Sequence, residues 1–476
     1  MNSSNIISSL FWKFMERAGA NVISFIVNLV LARLLSPSDY GIISVITIFI
    51  TLANVFVQGG FNTSLIQKKN ADSKDFSSVF YFSLAFSFIL YIIMFFAAPF
   101  IGLFYKSDIL PSALRVLSLN IIIGSINSIQ VAYVSKQMHF KKLFKSSILS
   151  ILLSATVGIT SAISGLGVWA LVAQQLTLNI STCIIMFITV KWRPTFEFSL
   201  AKLKILINFG WKILVSNLIT TLFLDIRSLI IGKVYSTKML GFYNRGKQFP
   251  QVLLDNVTSS IQSVMLSAYS KEQDNLQKVK HMTRTTISLC AYITFPMMFG
   301  FVAVSEELIQ LVLTDKWLPC VPYLKIYCFI YMLSPIHMAN IQALKGLGYS
   351  GIVLKLDIFR KIMEFVILII SVQLGTIEIA IGGLIASIIS LVINLKPNTK
   401  ILKYSYFEQF KDVFPSMFIS ACMFAIIQTF EFFVLPALTE ITIKIVIGVA
   451  IYIILSVILK PNSFLILKKL LNNKLK

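Results

Sequence analysis

The sequence predicts an all-α integral membrane protein of about fourteen transmembrane helices. Twelve of them are expected to form two six-helix lobes in parallel repeat, followed by two C-terminal helices. Three observations carry this expectation. Hydrophobic residues make up 57% of the 476 residues and charged residues 13%, with mean hydropathy +0.82; a soluble chain carries roughly 25% charged residues. The apolar residues fall in runs of about 20, the length that crosses a bilayer as helix. Short motifs from the first half return in the second half in the same order.

In the N-terminal lobe, residues 1–195, the expected spans are 12–34, 41–60, 77–104, 109–134, 146–164 and 167–190. In the second lobe, residues 196–396, they are 207–232, 248–268, 286–304, 321–344, 352–373 and 377–395. The last segment, 397–476, holds 413–433 and 440–459 and ends in a basic tail. Runs such as Ile445–Leu459 are continuously apolar, whereas barrel strands alternate, so a transmembrane barrel is excluded. The first apolar segment is too long for a signal h-region and no A-x-A-like site follows it, so it is read as a retained span.

The charge balance is +22. Its Lys and Arg residues stand in short links between apolar runs rather than on a soluble basic face, which argues against nucleic acid as a partner. Lys68, Lys69 and Lys74, then Lys136, Lys141, Lys142 and Lys145, then Lys191, Arg193, Lys202 and Lys204 occupy alternate links. Lys271, Lys278, Lys280 and Arg284, the 396–411 lysines and the C-terminal lysines continue the pattern. The positive-inside rule therefore places both termini in the cytoplasm. The 233–247 link is an exception: it falls outside and still holds Lys233, Lys238, Arg245 and Lys247.

The repeat pairs Arg33-Leu34-Leu35-Ser36-Pro37-Ser38-Asp39-Tyr40-Gly41 with Lys233-Val234-Tyr235-Ser236-Thr237-Lys238-Met239-Leu240-Gly241. Gly165-Leu166-Gly167-Val168-Trp169-Ala170 pairs with Leu374-Gly375-Thr376-Ile377-Glu378-Ile379-Ala380, and Ile129-Gln130 with Ile341-Gln342. An even number of spans per half gives both halves one orientation, hence an axis along the membrane normal.

Polar residues inside spans are the candidate site. Arg17, Asn21, Ser24 and Asn28 share one face of the first helix; Thr47, Thr51, Asn54 and Gln58 share one face of the second. Asn217, Thr221, Asp225 and Ser228 form a row on the seventh, beside Arg227; Gln248, Gln251, Asp255, Ser259 and Gln262 form one on the eighth. Rows this long face a hydrated cavity or serve as polar glue between helices. Arg360, Lys361 and Glu364 read as an interfacial cluster at the start of the eleventh helix.

Five scattered cysteines and three distant histidines give no metal or redox spacing. No phosphate-binding G-x-x-x-x-G-K-[ST] loop and no nucleophile or zinc motif occurs, which argues against an ATP-driven pump and against an enzyme. No cofactor is expected.

The segment Leu31–Gly41, with Gln58-Gly59-Gly60-Phe61, Leu65-Ile66-Gln67, Gly165–Val172, Asp225–Gly232 and Leu240-Gly241-Phe242-Tyr243-Asn244, resembles the Wzx-like polysaccharide and O-antigen flippases. Within them it is most similar to the colanic-acid (WzxC) type of lipopolysaccharide biosynthesis protein. The resemblance implies the multidrug/oligosaccharidyl-lipid/polysaccharide (MOP, MATE-like) exporter fold, with two lobes around a central cavity in the bacterial inner membrane. It implies export of an undecaprenyl-diphosphate-linked oligosaccharide, with membrane lipids, a polysaccharide polymerase and glycosyltransferases as partners. Lys233 and Met239 depart from the pattern of Arg33 and Asp39. A drug antiporter or lipid II exporter of the same superfamily is the alternative within transport; a membrane enzyme or assembly scaffold is the alternative outside it. The coupling cation, H⁺ or Na⁺, stays open.

The orientation is testable by cysteine labelling. A cysteine at Asn462 should react only from the cytoplasmic side and one at Gly165 only from outside; labelling of both from outside refutes the topology.

Overall fold

Among the described residues all regular structure is helical, the arrangement that satisfies a backbone in hydrocarbon from within one segment. The structure is a computed structural model that describes residues 3–58, 60, 64–66, 68, 71–137, 140–429 and 436–474. The side chains of 3–11, 13–18, 205, 209, 212, 255–257, 259–264, 266–267 and 470–474 lie outside the description.

By internal contacts the chain divides into two units, Met1–Gly241 and Phe242–Lys476. The first contains α1 (Ser3–Leu34), α2 (Pro37–Gln58), α3 (Ser73–Tyr105), α4 (Ile109–Leu117), α5 (Leu119–Lys136), α6 (Phe140–Ile163), α7 (Val168–Thr189) and α8 (Leu200–Val234). Here α1 packs on α6, α6 on α7, α3 on α5, and α8 on α2 and α3. Helix α9 (Thr237–Lys271) begins in the first unit and continues into the second. The second unit holds α10 (Leu276–Ala303), α11 (Ser305–Leu313), a 3-10 turn (Asp315–Cys320), α12 (Val321–Met332), α13 (Ser334–Gly346), α14 (Ser350–Ser371), α15 (Thr376–Ile401), α16 (Tyr406–Thr429), α17 (Ala437–Leu459) and α18 (Asn462–Lys474). The order of elements repeats: long α3 and α10 are each followed by a helix of 9 residues, α4 and α11.

Eleven helical stretches among the described residues are long and apolar enough to cross a membrane, and Gly19–Leu34 is a shorter apolar helix. The spans expected at 248–268 and 352–373 are helical as α9 and α14 but do not meet that apolar standard. The reason is their polar content: Gln248, Gln251 and Asp255 in one, Lys355, Asp357, Arg360, Lys361 and Glu364 in the other. The start of α14 at Ser350 also corrects the position of Arg360. It lies ten residues into the helix, about 15 Å from its Ser350 end, rather than at the helix start.

Helix ends are tied by charge. Asp72 accepts from the Asp75 amide at 2.8 Å and Asp75 accepts from the Asp72 amide at 3.1 Å, a capping box that starts α3. The fully buried Asp75 carboxylate also accepts from Lys68 Nζ at 2.7 and 2.8 Å. Lys136 at the end of α5 donates to the Leu65 carbonyl at 2.9 Å, and Lys202 at the start of α8 pairs with Asp72. In the second unit Arg284 of α10 grips Asp412 of α16 through two bonds of 2.7 and 2.8 Å, and Tyr404 donates to the same carboxylate at 2.7 Å. Lys280 pairs with Glu408 at 2.9 Å.

The basic 233–247 link also acquires a reason. Lys233 donates to the Phe104 carbonyl at 2.6 Å and lies over the Phe104 ring, capping the end of α3. Arg245 is buried inside α9, donates to Gln248 at 2.9 Å and stacks on Trp317. These two cations are structural partners rather than free loop charges.

The repeated glycines meet. In the first unit the first turns of α2 and α9 cross so closely that a Cβ on Gly41 would fall 1.7 Å from the Thr237 carbonyl oxygen. A Cβ on Gly241 would fall 2.0 Å from the Pro37 oxygen and 3.4 Å from Gly41 N. Ser38 and Thr237 hydroxyls sit 3.4 Å apart at the same crossing. Gly351 in α14, by contrast, has nothing within 4 Å.

Two measurements follow. Gly241→Ala should lower the thermal midpoint of the purified protein, at an overpacking cost of about 1–3 kcal/mol, while Gly351→Ala should leave it unchanged or raise it slightly. Equal effects would refute the crossing. Separately, the Lys202 ammonium and the Asp75 amide hold the Asp72 carboxyl down at about 2, from 3.8. Its stabilisation is therefore complete above pH 3.8 and is lost as pH falls from there through about 2. Acid unfolding of wild type and Asp72→Asn should differ near neutral pH and converge by about pH 2; a constant difference refutes the tie.

Candidate functional site

The polar rows reach the surface unevenly. On α1, Asn21 is exposed, while Ser24 and Asn28 are half-buried. Asn28 Nδ2 donates to the Ser24 carbonyl at 2.9 Å, and Tyr40 Oη donates to the Asn28 carbonyl at 3.2 Å, which ties the α1 row to the start of α2. The Arg17 side chain lies outside the described residues.

On α2 the row splits. Thr51 and Gln58 are exposed. Asn54 Oδ1 and Thr47 Oγ1 are buried without a protein partner. Asn54 Oδ1 lies only 3.0 Å from where a Cβ on Gly124 of α5 would be, so its amide points into the packing of the first unit and not into open space. The absence of a side chain at Gly124 is what admits it.

Helix α8 packs against α2 and α3. Tyr105 of α3 donates to the Leu229 carbonyl at 3.3 Å, fixing the α8 turn that carries Ser228, which is buried. Asp225 and Arg227 are half-buried, and Ser216, Asn217 and Thr220 are exposed. The structure therefore brings the Asn54/Gln58 row and the Asp225/Arg227 row onto neighbouring helices of one unit. Gln251 is half-buried on the second-unit part of α9, and the Asp255 side chain lies outside the described residues.

Chemically, amides and hydroxyls on adjacent helices both donate and accept and suit a hydroxyl-rich ligand. A guanidinium among them suits an anionic head group. Among the described residues no group of three or more His, Cys, Asp and Glu could hold a metal ion.

Sequence reasoning passed over three features. A cavity of about 390 Å³ in the second unit is lined by apolar residues such as Phe301, Met423, Ile427 and Ile445. At its edge Lys444 is nearly buried and pairs with Glu307 and Glu440. His337 of α13 touches Arg360 of α14 and Asn394 of α15. The helical spacing of these residues gave no row on a single helix; only the three-helix packing assembles them.

Comparison with known proteins agrees with this architecture. The chain is 23% identical over 468 residues, 97% of each chain, to the teichuronic acid biosynthesis protein TuaB of Bacillus subtilis (strain 168). It is 22% identical over 392 residues, 82% of this chain and 77% of the relative, to the lipopolysaccharide biosynthesis protein WzxC of Escherichia coli (strain K12). Among solved structures, the lipid II flippase MurJ in an inward closed conformation superposes with a TM-score of 0.75 at 17% identity, covering 94% of this chain and 98% of that one. That likeness shows the fold that the resemblance implied, a multi-pass helical exporter fold. A family model described as polysaccharide biosynthesis protein matches residues 30–322, more than half of the chain, and the protein belongs to that family.

Proposed function

We propose that the protein is a flippase that moves an undecaprenyl-diphosphate-linked oligosaccharide repeat unit across the cytoplasmic membrane by alternating access, supplying surface polysaccharide biosynthesis. The observation that carries the reading is the pairing of family membership with polar rows on adjacent α2 and α8 in an otherwise apolar chain. A diphosphate cannot cross about 30 Å of hydrocarbon unaided, and the rows offer the amides, hydroxyls and cations that replace its water.

In this reading α9 and α14 cross the membrane despite their polar residues, giving fourteen spans with both termini cytoplasmic. Residues 1–195 and 196–396 are the two rocking lobes, and 397–476 adds the last two spans. Arg17 and Arg227 attract the diphosphate; Asn21, Asn28, Gln58 and Gln251 engage the glycan; Asp225 and Asp255 balance charge or carry a coupling cation. The protein performs no covalent chemistry. The polymerase and glycosyltransferases of the same polysaccharide are its partners.

Arg227 carries the sharpest test. It lies seven residues from the end of α8, about 10 Å inside it, where a lipid-facing arginine costs about 2.5–3.5 kcal/mol on insertion scales. Arg227→Ala should abolish surface glycan in a complementation assay at unchanged protein level. Arg227→Lys keeps the charge, loses the planar fork and should retain part of the export. Normal export by the alanine variant, or equal loss of folded protein in both, overturns the assignment.

A further inference from the structure

The second unit contains an ionisable cluster inside its helix packing that the substrate reading does not use; in that reading, where α14 crosses the membrane, the cluster lies within the bilayer. His337 lies nine residues before the end of α13, Arg360 ten residues after the start of α14, and Asn394 seven residues before the end of α15. All three are therefore about 10–15 Å in from the same end of the unit. An arginine and a histidine at that depth are expensive unless they serve a purpose.

The contacts define the ring's protonation state. Arg360 hydrogen-bonds His337 Nε2. A guanidinium can only donate, so Nε2 accepts and the ring is the neutral imidazole. Asn394 is fully buried, and its amide lies 2.8 Å from Nδ1 and 2.7 Å from Nε2. Turning that amide by half a rotation sets Oδ1, which has no other protein partner, against the ring N–H. Arg360 is held on its other side by Asp357, 3.2 Å away, and its Nε is buried without a partner. Below the cluster, Asn398 donates to the Asn340 side chain at 2.7 Å and backbone at 3.2 Å, which keeps α13 and α15 together independently of His337.

The surrounding elements carry further charges, and Lys361 lies within electrostatic reach of Glu364, Arg360 and Asp357. Helix α14 also carries Lys361 and Glu364, and α15 carries Lys396 and Lys400. On α10, Lys278, Lys280 and Arg284 are paired with Glu272, Glu408 and Asp412, and His281 stands beside them. On α12, Lys325 is paired with Glu306. Among the described residues the charged group in hydrogen-bond contact with the His337 ring is Arg360.

We propose that His337, Arg360 and Asn394 form an intramembrane protonation switch. One proton from water adds to the Nε2 lone pair of His337. Imidazolium and guanidinium cannot share that contact, so Arg360 withdraws to Asp357 and the α13–α14 contact loosens, while the Asn394 oxygen keeps the ring in place. Losing the proton restores the contact. Use of this switch to couple transport to a proton gradient rests on the flippase reading; the switch itself does not.

The test uses the full chain in lipid nanodiscs without substrate, labelled with ¹³C in histidine rings and ¹⁵N in arginine side chains. The chain has 3 histidines, so His337→Gln assigns the ring signal, and Arg360→Lys assigns the guanidinium signal. The expected result is that both wild-type signals move together with one shared midpoint. In His337→Gln the side-chain oxygen still accepts from Arg360 but cannot titrate, so the Arg360 signal should not move. Should that variant fail to fold, His337→Asn serves in its place. An Arg360 signal that moves equally in the variant, a ring that titrates while Arg360 stays still, or no movement of either overturns the switch. Because substrate is absent, that failure leaves polysaccharide transport untouched; lost glycan complementation with an intact pH response would sink the transport reading instead.

Discussion

Hydrocarbon offers no hydrogen-bond partner, and the rest of the structure follows from that one constraint. Backbone groups must pair within their own helix, so the described chain is helical. Without a hydrophobic drive between helices, close approach does the holding. The Gly41–Gly241 crossing shows the consequence: two helix starts come so near that even a methyl group has no room. The same two residues head the sequence repeat, so one glycine in each half is explained by its counterpart.

Charge obeys the same constraint. At the basic helix ends, cations are matched: Lys68 to Asp75, Lys202 to Asp72, Arg284 to Asp412, Lys280 to Glu408. Pairs at the bilayer edge contribute modestly when exposed, but Asp75 is fully buried, and removing Lys68 would strand its charge. The basic links thus also clamp the helix ends. Lys233 and Arg245, anomalous as loop charges, are consumed by the Phe104 carbonyl and by Gln248 and Trp317.

Much of the fold was legible because a membrane span is a composition signal. Helix existence, the repeat and the family resemblance all came from runs and short motifs. What escaped notice came from tertiary packing. The Arg360 cluster read as a helix start because its charges crowd the first half of the expected 352–373 span; α14 begins ten residues before Arg360, at Ser350. Asn54 read as a cavity residue because helical periodicity sees only a face, and cannot see that Gly124 on α5 leaves a niche for its amide. His337 and Asn394 are 57 residues apart in sequence, and no helical period connects them.

The distribution of polar groups also separates what is fixed from what can change. In the first unit the ion pairs Lys68–Asp75 and Lys202–Asp72 lie at helix ends, whereas buried Asn120, Asn127, Gln130 and Ser83 in its helices are neutral. An ion pair broken inside a membrane leaves two unpaired charges, a cost of several kcal/mol. An amide loses less, and because it both donates and accepts it can find a new partner after a helix slides. A protein that must hold its helix ends while its interior exchanges partners is served by that division. The His337–Arg360 contact of the second unit joins two ionisable groups, so in the proposed switch the exchange answers to a single proton rather than to the geometry of neutral partners.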